Sequence, residues 1–564
     1  MTRTAADDAA VAATAPAPVP VSVDRAAWWR TAVVYQIYVR SFSDSTGSGT
    51  GDLGGVLERL PYLRRLGVDA VWLSPFYPSP QHDHGYDVAD YHGVDPRFGD
   101  LDLMRRVIDR AHGLGLRIVV DIVPNHCSTE HPWFAAALAA APGSRERALF
   151  HFADGRGPDG AEPPNNWRSI FGGSSWARTT AADGTPGQWY LHSFAPEQAD
   201  FNWADPRVGD YFDSVLRFWL DLGVDGFRID VAHGLHKQHG LPDDPHAALD
   251  ETTGDPVNSA AWNRPEVHDV WRRWRALTDA YERRDGRARV LVGEIGVLDP
   301  RQLARYQRPD ELHQSFFFEF LRTDWDAAAF RDVIGRGLAA IAASGSGVSW
   351  VLNNHDMPRA VTRYAGGEPG GRPGDTALGE RRARAALLMM LALPGSVYLY
   401  QGEELGLPEV VDLPAGALQD PMFHRSGGAR RGRDGCRVPL PWHGAEPSYG
   451  FTTAAAPWLP QPDWFAAYGA AGQEHRGDST LHLYRAALAL RSALPGLRDS
   501  GLTWTGAPDA ADGVLSFRRG RLLCTVNCGP APVPVPEAAV LLLSSDPEPS
   551  AGKQPTDSAA WWLV

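Results

Sequence analysis

Short apolar runs recur eight times along the chain, at residues 33 to 42, 70 to 75, 117 to 126, 223 to 230, 288 to 295, 312 to 319, 348 to 356 and 395 to 404. Runs of this length, rich in Val, Ile, Phe and Tyr, read as strands. Between them, segments such as LGGVLERLPYLRRLG and DLMRRVIDRAHGLG place apolar residues three and four apart and stop at Gly, as amphipathic helices with a C-terminal glycine do. Strands buried on both faces lose their polar alternation, and strands that alternate with helices form parallel sheets. Eight such units predict an α/β chain folded as a (β/α)8 TIM barrel, its helices packed on the outside.

Two intervals break the alternation. Residues 127–203, after the third run, are too long for one helix and mix Gly, Pro and Asn with scattered Trp and Phe, which predicts an inserted subdomain over the strand ends after strand 3. Beyond the eighth run come a loop-rich stretch over 407–478, a helical segment near 479–495, and the strand-like pieces LTWTG, GVLSFRRGRLLCTVNCG and AVLLLSSD. The expected division is therefore a barrel over 27–126 and 204–478, the insert over 127–203 and a C-terminal antiparallel β domain over 479–564. Residues 1–26 are rich in Ala and Pro without a continuous apolar stretch, so they read as a disordered tail and not a secretory signal. No segment has the length and apolarity of a membrane span, and a cytoplasmic location is expected.

Composition narrows the partner. A formal net charge of -14 argues against nucleic acid, whose binding rests on clustered Lys and Arg, and suits a neutral small molecule. Twenty Trp, sixteen Tyr and twenty-one Phe supply flat faces that stack on sugar rings, although most such residues serve packing. Cys127, Cys436, Cys524 and Cys528 lack the companion ligands of a zinc site and read as free thiols. No cofactor is implied, and nothing in the pattern sets an oligomeric state.

Three of the apolar runs end abruptly in acids: Asp230, Glu294 and Asp356. Strand ends at the C-terminal face of a barrel carry its catalytic groups. Carboxyls on adjacent strands stand close enough for the covalent, retaining cleavage of a glycosidic bond, with no room for a bridging water. Arg228 lies two positions before Asp230 and so faces the same side, where it is expected to hold that carboxylate ionised. Glu294 is expected to be the proton carrier, its affinity raised by desolvation or a neighbouring acid.

The motifs DIVPNH (121–126), GFRIDVAH (226–233), LVGEIG (291–296) and VLNNHD (351–356), with GYDVADY (85–91) and QADFNW (198–203), occur in the order and on the strands of the α-amylase family, glycoside hydrolase family thirteen. The chain resembles above all its bacterial α-glucosidase and oligo-1,6-glucosidase branch. The resemblance implies that Asp230 is the nucleophile, Glu294 the general acid and base, and Asp356 the acid that grips the 2- and 3-hydroxyls of the distorted sugar. It implies hydroxyl contacts from His126 and His355, a stacking platform at Tyr86, and a hold by Asp87 on the 4- and 6-hydroxyls that closes the pocket. Phe171, Phe194 and Gln198 are implied as lid contacts, and Arg437 as an arginine reaching in from the loop after the last strand.

Two departures from the family pattern alter the expectation. Residues 44–52 read DSTGSGTGD where relatives often carry an Asn- and Asp-rich metal loop, and neutral hydroxyls hold a hard cation less well than carboxylates; no tightly held calcium is expected. Val231 stands where relatives preferring α-1,6 bonds have Val and those preferring α-1,4 have Thr, while Ala232-His233-Gly234 match neither group. The resemblance thus implies a retaining exo-α-glucosidase acting on maltose- or isomaltose-type oligosaccharides, with transglucosylation. A transglycosidase or isomerase of sucrose or trehalose is the alternative on the same fold. A catalytically silent binding module has no reason to keep all three acids.

Overall fold

Along the strand Arg117–Ile122, Ile118, Val120 and Ile122 join the cluster beneath the outer helices, while Val119 joins a separate cluster inside the barrel. That alternation is the pleat of a strand with one face inward and one outward. The structure, a computed structural model, describes residues 27–181, 183–244, 259–297, 299–342, 346–366, 374–444, 447–494, 496–499, 501–506, 510, 512–546 and 552–564. The expected tail over 1–26 lies outside these residues.

Eight parallel strands form the barrel: β1 (Val33–Ile37), β2 (Ala70–Leu73), β3 (Arg117–Ile122), β4 (Gly226–Ile229), β5 (Val290–Gly293), β6 (Gln314–Ser315), β7 (Ser349–Val351) and β8 (Ser396–Tyr400). Each pairs with its sequence neighbour, and β1 also pairs with β8. A parallel bridge from Phe316 to Ser349 closes the gap between β6 and β7. Inside, Val34, Ala70, Trp72, Val119, Val290, Val292, Val351 and Tyr398 fill the lumen, so the barrel is a packed core and not a pore.

The helices start and stop where local chemistry directs. Asp52 caps Leu53–Leu66 by accepting from the Gly55 N–H at 2.7 Å, and Gly67 ends it at φ 101°. Asp205 caps Pro206–Leu222, with proline at the first helical position and Gly223 at φ 116° beyond its end. These are the cap preferences of aspartate, proline and glycine.

Residues 127–203 contain a three-stranded antiparallel sheet built from Phe152–Ala153, Pro186–Leu191 and Trp176–Thr180, and Gln198–Asp200 pairs with His126–Ser128 at the end of β3. At the other end of the chain, the helix Thr480–Ala493 packs on the barrel helices Leu53–Leu66 and Thr376–Ala392, so it completes the outer ring. The antiparallel strands begin only at Thr503, and five of them, through Ser558–Leu563, form one sheet.

Candidate active site

The inward phase of β3 and β4 delivers chemistry as well as packing. Asp121 continues the phase of Val119, and Arg228 stands opposite it in register. Asp230, one residue beyond β4, takes a ladder bond from its N–H to the Ile122 carbonyl at 2.9 Å, and Glu294, one beyond β5, donates its N–H to the Ile229 carbonyl at 2.9 Å. The strand ends therefore bring three acids around one buried guanidinium. Arg228 Nη1 donates to Asp121 Oδ1 at 2.9 Å and to Asp230 Oδ1 at 2.8 Å, and its Nη2 donates to Glu294 Oε2 at 2.6 Å.

One cation cannot neutralise three carboxylates in a desolvated site. Burial pushes the Asp230 carboxyl well above its ordinary range; Arg228 opposes this, but Glu294 and Asp121 add to it. The expected depression of Asp230 by Arg228 is thus outweighed. Asp121 is likewise pushed up to about 6 by burial against the pull of Arg228.

Asp356, at the loop after β7, has a different environment. Its Oδ1 accepts from Arg437 Nη2 at 2.8 Å and from Arg433 Nη1 at 3.1 Å, and its Oδ2 lies 3.3 Å from His355 Nε2. Burial would raise this carboxyl, yet the neighbouring groups hold it below the ordinary carboxylate range. The His355 imidazole is itself pushed down by burial, so the fixed charges of Arg433 and Arg437 are what keep Asp356 ionised. His355 is held by Gln36 at 2.7 Å and stacks on Tyr86 with centroids 5.3 Å apart and planes 6° from parallel. Tyr86 donates its hydroxyl to Asp121 at 3.0 Å.

His126 places Nε2 3.1 Å from the Tyr86 carbonyl and 3.1 Å from Gln198 Nε2, and burial pushes its imidazole down to about 4. Phe194 packs on His126 at 5.0 Å and meets Phe171 edge-on at 5.5 Å. The guanidinium of Arg433 lies over Phe171 at 4.9 Å. Tyr86, His126, Phe171, Phe194, Gln198, Arg228, His355 and Arg437 thus form a connected wall with the three acids.

Asp87 does not join them. Its carboxylate is fully buried and accepts from Ser79 Oγ at 2.9 Å, the His82 N–H at 2.7 Å and the Asp83 N–H at 3.1 Å, which uses it to tie its own loop. The acid of this loop that does join them is Asp83, whose carboxylate takes Arg433 Nη2 at 2.7 Å and Gln198 Nε2 at 3.1 Å. Arg433 is in turn anchored by Asp420, to which its Nε donates at 2.7 Å. Asp83, Arg433, Asp121 and Gln36 were not singled out from the sequence. Asp121 and Gln36 carry a signal, since both sit in the inward phase of their strands; Asp83 and Arg433 lie on irregular loops with no periodicity to read.

In the 44–52 loop both carboxylates are engaged internally. Asp44 accepts from the Thr46, Gly47 and Gly49 N–H groups at 2.7–2.9 Å and from Thr452 Oγ1 at 2.5 Å. Asp52 accepts from Ser45 N–H and Oγ and from the Gly55 N–H at 2.7–3.0 Å. Among the described residues no cluster of three or more His, Cys, Asp or Glu side chains has the arrangement of a metal site. All four cysteines are free thiols.

Comparison with known proteins extends this geometry. Residues 36–500 match the family described as alpha amylase, catalytic domain, and residues 498–561 match a domain of unknown function. A probable alpha-glucosidase of Rhizobium meliloti (strain 1021) is 38% identical over 517 residues, covering 89% of each chain. Among solved structures, an alpha-glucosyl transfer enzyme superposes with a TM-score of 0.84 at 35% identity, over 95% of this chain and 99% of that one. A trehalulose synthase superposes with a TM-score of 0.83 at 30% identity, over 96% and 100%.

Proposed function

The chain belongs to the alpha-amylase family and is a glycoside hydrolase; from that premise we propose that it is a retaining, exo-acting α-glucosidase that removes glucose from the non-reducing end of maltose- or isomaltose-type oligosaccharides. The observation that carries this reading is the Asp230–Glu294 pair held on one guanidinium, Arg228 Nη1 donating to Asp230 Oδ1 at 2.8 Å and its Nη2 to Glu294 Oε2 at 2.6 Å. Inversion needs a water between the two carboxyls and correspondingly wide spacing; two carboxyls bridged by a single guanidinium favour direct attack by one of them.

In this reading Asp230 attacks the anomeric carbon as a carboxylate while a proton passes from Glu294 to the leaving oxygen. Glu294 then takes a proton from the incoming water or sugar hydroxyl. Asp356, kept ionised by Arg433 and Arg437, accepts hydrogen bonds from hydroxyls of the same glucose and offsets the positive charge that develops on its ring. His126 and His355 are kept neutral by burial, so each can donate or accept toward a hydroxyl without adding charge. The Asp83–Arg433 pair closes the far end of the cavity and suits the terminal 4-hydroxyl, which supports exo-action.

Asp83→Asn is expected to raise KM for maltose about tenfold, the worth of a charge-assisted hydrogen bond, with a smaller effect on kcat. An unchanged KM would remove Asp83 from the pocket wall.

The decisive test is product analysis on maltose, isomaltose, sucrose and trehalose, with the anomer followed by proton NMR. The expected first product from maltose is α-glucose, joined at high substrate by glucosyl-transfer products. β-Glucose as the first anomer sinks the retaining assignment. The resemblance to a trehalulose synthase favours one second reading, in which fructose released from sucrose recaptures the glucosyl group; rearranged sucrose as the dominant product would select it.

A further inference from the structure

Val231, directly after Asp230, has a backbone φ of 47° and is buried. A β-branched residue in the left-handed region is strained and persists only where its surroundings enforce it, which happens mostly at functional sites. The result of this turn is a pair of consecutive amides aimed at one residue. The Val231 N–H donates to Glu294 Oε2 at 3.2 Å, and the Ala232 N–H donates to the Glu294 carbonyl at 2.8 Å. The Gly234 N–H closes the turn on the Val231 carbonyl at 2.9 Å. A Cβ at Gly234 would stand 2.7 Å from both Val231 Cγ1 and Trp262 Cζ3, so the bend admits only glycine there.

Glu294 Oε2 therefore receives two donors, the Val231 amide and Arg228 Nη2 at 2.6 Å. Neither donor can accept a hydrogen bond. An oxygen so engaged is the poor place for a proton, and the other oxygen of the carboxyl is the good one.

We propose that Val231 is a positioning residue whose strained turn commits Oε2 of Glu294 to accepting hydrogen bonds and leaves Oε1 as the oxygen that gives up and recovers the catalytic proton. This rests on the reading of Glu294 as the acid and base. In the first half-reaction the Oε1–H bond breaks, its proton joins the glycosidic oxygen, and that oxygen keeps the electron pair of the severed C–O bond while Asp230 bonds to the carbon. In the second half-reaction water adds to the carbon, the bond to Asp230 breaks with its electrons returning to the carboxylate, and the proton of water returns to Oε1.

The test removes only the amide hydrogen, by incorporating the α-hydroxy acid analogue of valine at position 231 so that the peptide bond becomes an ester. Turnover of maltose, whose leaving sugar needs protonation, is compared with turnover of p-nitrophenyl α-glucoside, whose leaving group needs little. The expected result is a loss on maltose about tenfold larger than on the aryl glucoside, with a displaced basic limb in the pH profile for maltose. Val231→Gly, which keeps the amide and tolerates the turn, should leave the ratio of the two substrates and the limb in place. Equal losses on both substrates with an unmoved limb would overturn the proposal. A second measurement needs no variant: neutron diffraction from acidic crystals of the unaltered enzyme should find deuterium on Oε1 of Glu294, and deuterium on Oε2 would overturn the proposal. If the unaltered enzyme turns over neither substrate, the reading of the whole site fails, not this refinement of it.

Discussion

Asp230→Asn is expected to lower kcat by at least about a thousandfold on both maltose and an aryl α-glucoside, the scale set by removing a catalytic group. The substitution is nearly isosteric and keeps an acceptor toward Arg228 Nη1, which stands 2.8 Å away in the native site, so the pocket should survive it. What is lost is the ability to form a covalent link to the sugar. A truncated variant, Asp230→Gly, separates this role from mere support: azide added to it should fill the space, attack from the same face and release β-glucosyl azide from the aryl glucoside. One displacement inverts the carbon, whereas the proposed double displacement of the native enzyme retains it. Near-native kcat in Asp230→Asn, or α-glucosyl azide from the rescued variant, would refute the assignment.

Arg228→Met is expected to abolish turnover and also to destabilise the chain by about 3–5 kcal/mol, because it removes the counter-charge from a buried cluster of acids. The deficit should depend on pH with a definite sign. Asp121 stands at about 6, above its ordinary 3.8, so the folded chain binds that proton more tightly than the unfolded chain does. Stability from this group is present at low pH and is lost as pH rises through that window. Without Arg228 the folded values of Asp121 and Asp230 climb further, and the penalty at neutral pH grows. Chemical unfolding of variant and native enzyme at pH 5 and 7 checks this; a deficit that narrows toward pH 7 would contradict the shared-guanidinium account.

The barrel and its acids were legible because both follow a period. Val119 and Asp121, and Arg228 and Asp230, sit two apart, and a strand's pleat sends such pairs to one side. The apolar runs ended at Asp230, Glu294 and Asp356 because the lumen ends there. What was not legible lies where no period applies. Asp83 and Asp87 belong to one short stretch, and which of them meets the site residues depends on left-handed turns at Gln81 (φ 71°), His84 (φ 53°) and Gly85 (φ 104°). Those reversals swing Asp83 toward Arg433 and fold Asp87 back on Ser79 and the loop amides. The upward push on Asp230 escaped for another reason: the sequence shows its pairing with Arg228 but not that Asp121 and Glu294 claim the same guanidinium. The helix Thr480–Ala493 carries no mark of which body it joins until its packing on Leu53–Leu66 and Thr376–Ala392 is seen.

The ion pair of Asp83 with Arg433 sets an order of events as well as a shape. In the proposed exo-acting pocket that pair walls off the far end, so the mouth is both entrance and exit and the severed sugar leaves by the route that water enters. Until it departs, the severed sugar is the acceptor at hand, and recombination either regenerates what was bound or, through another of its hydroxyls, gives a rearranged product. Whatever next arrives through the opening decides the product, and crowded sugar solutions should compete with water for that turn. Free glucose, held deepest, leaves last, so accumulated glucose should compete with fresh substrate for the empty pocket.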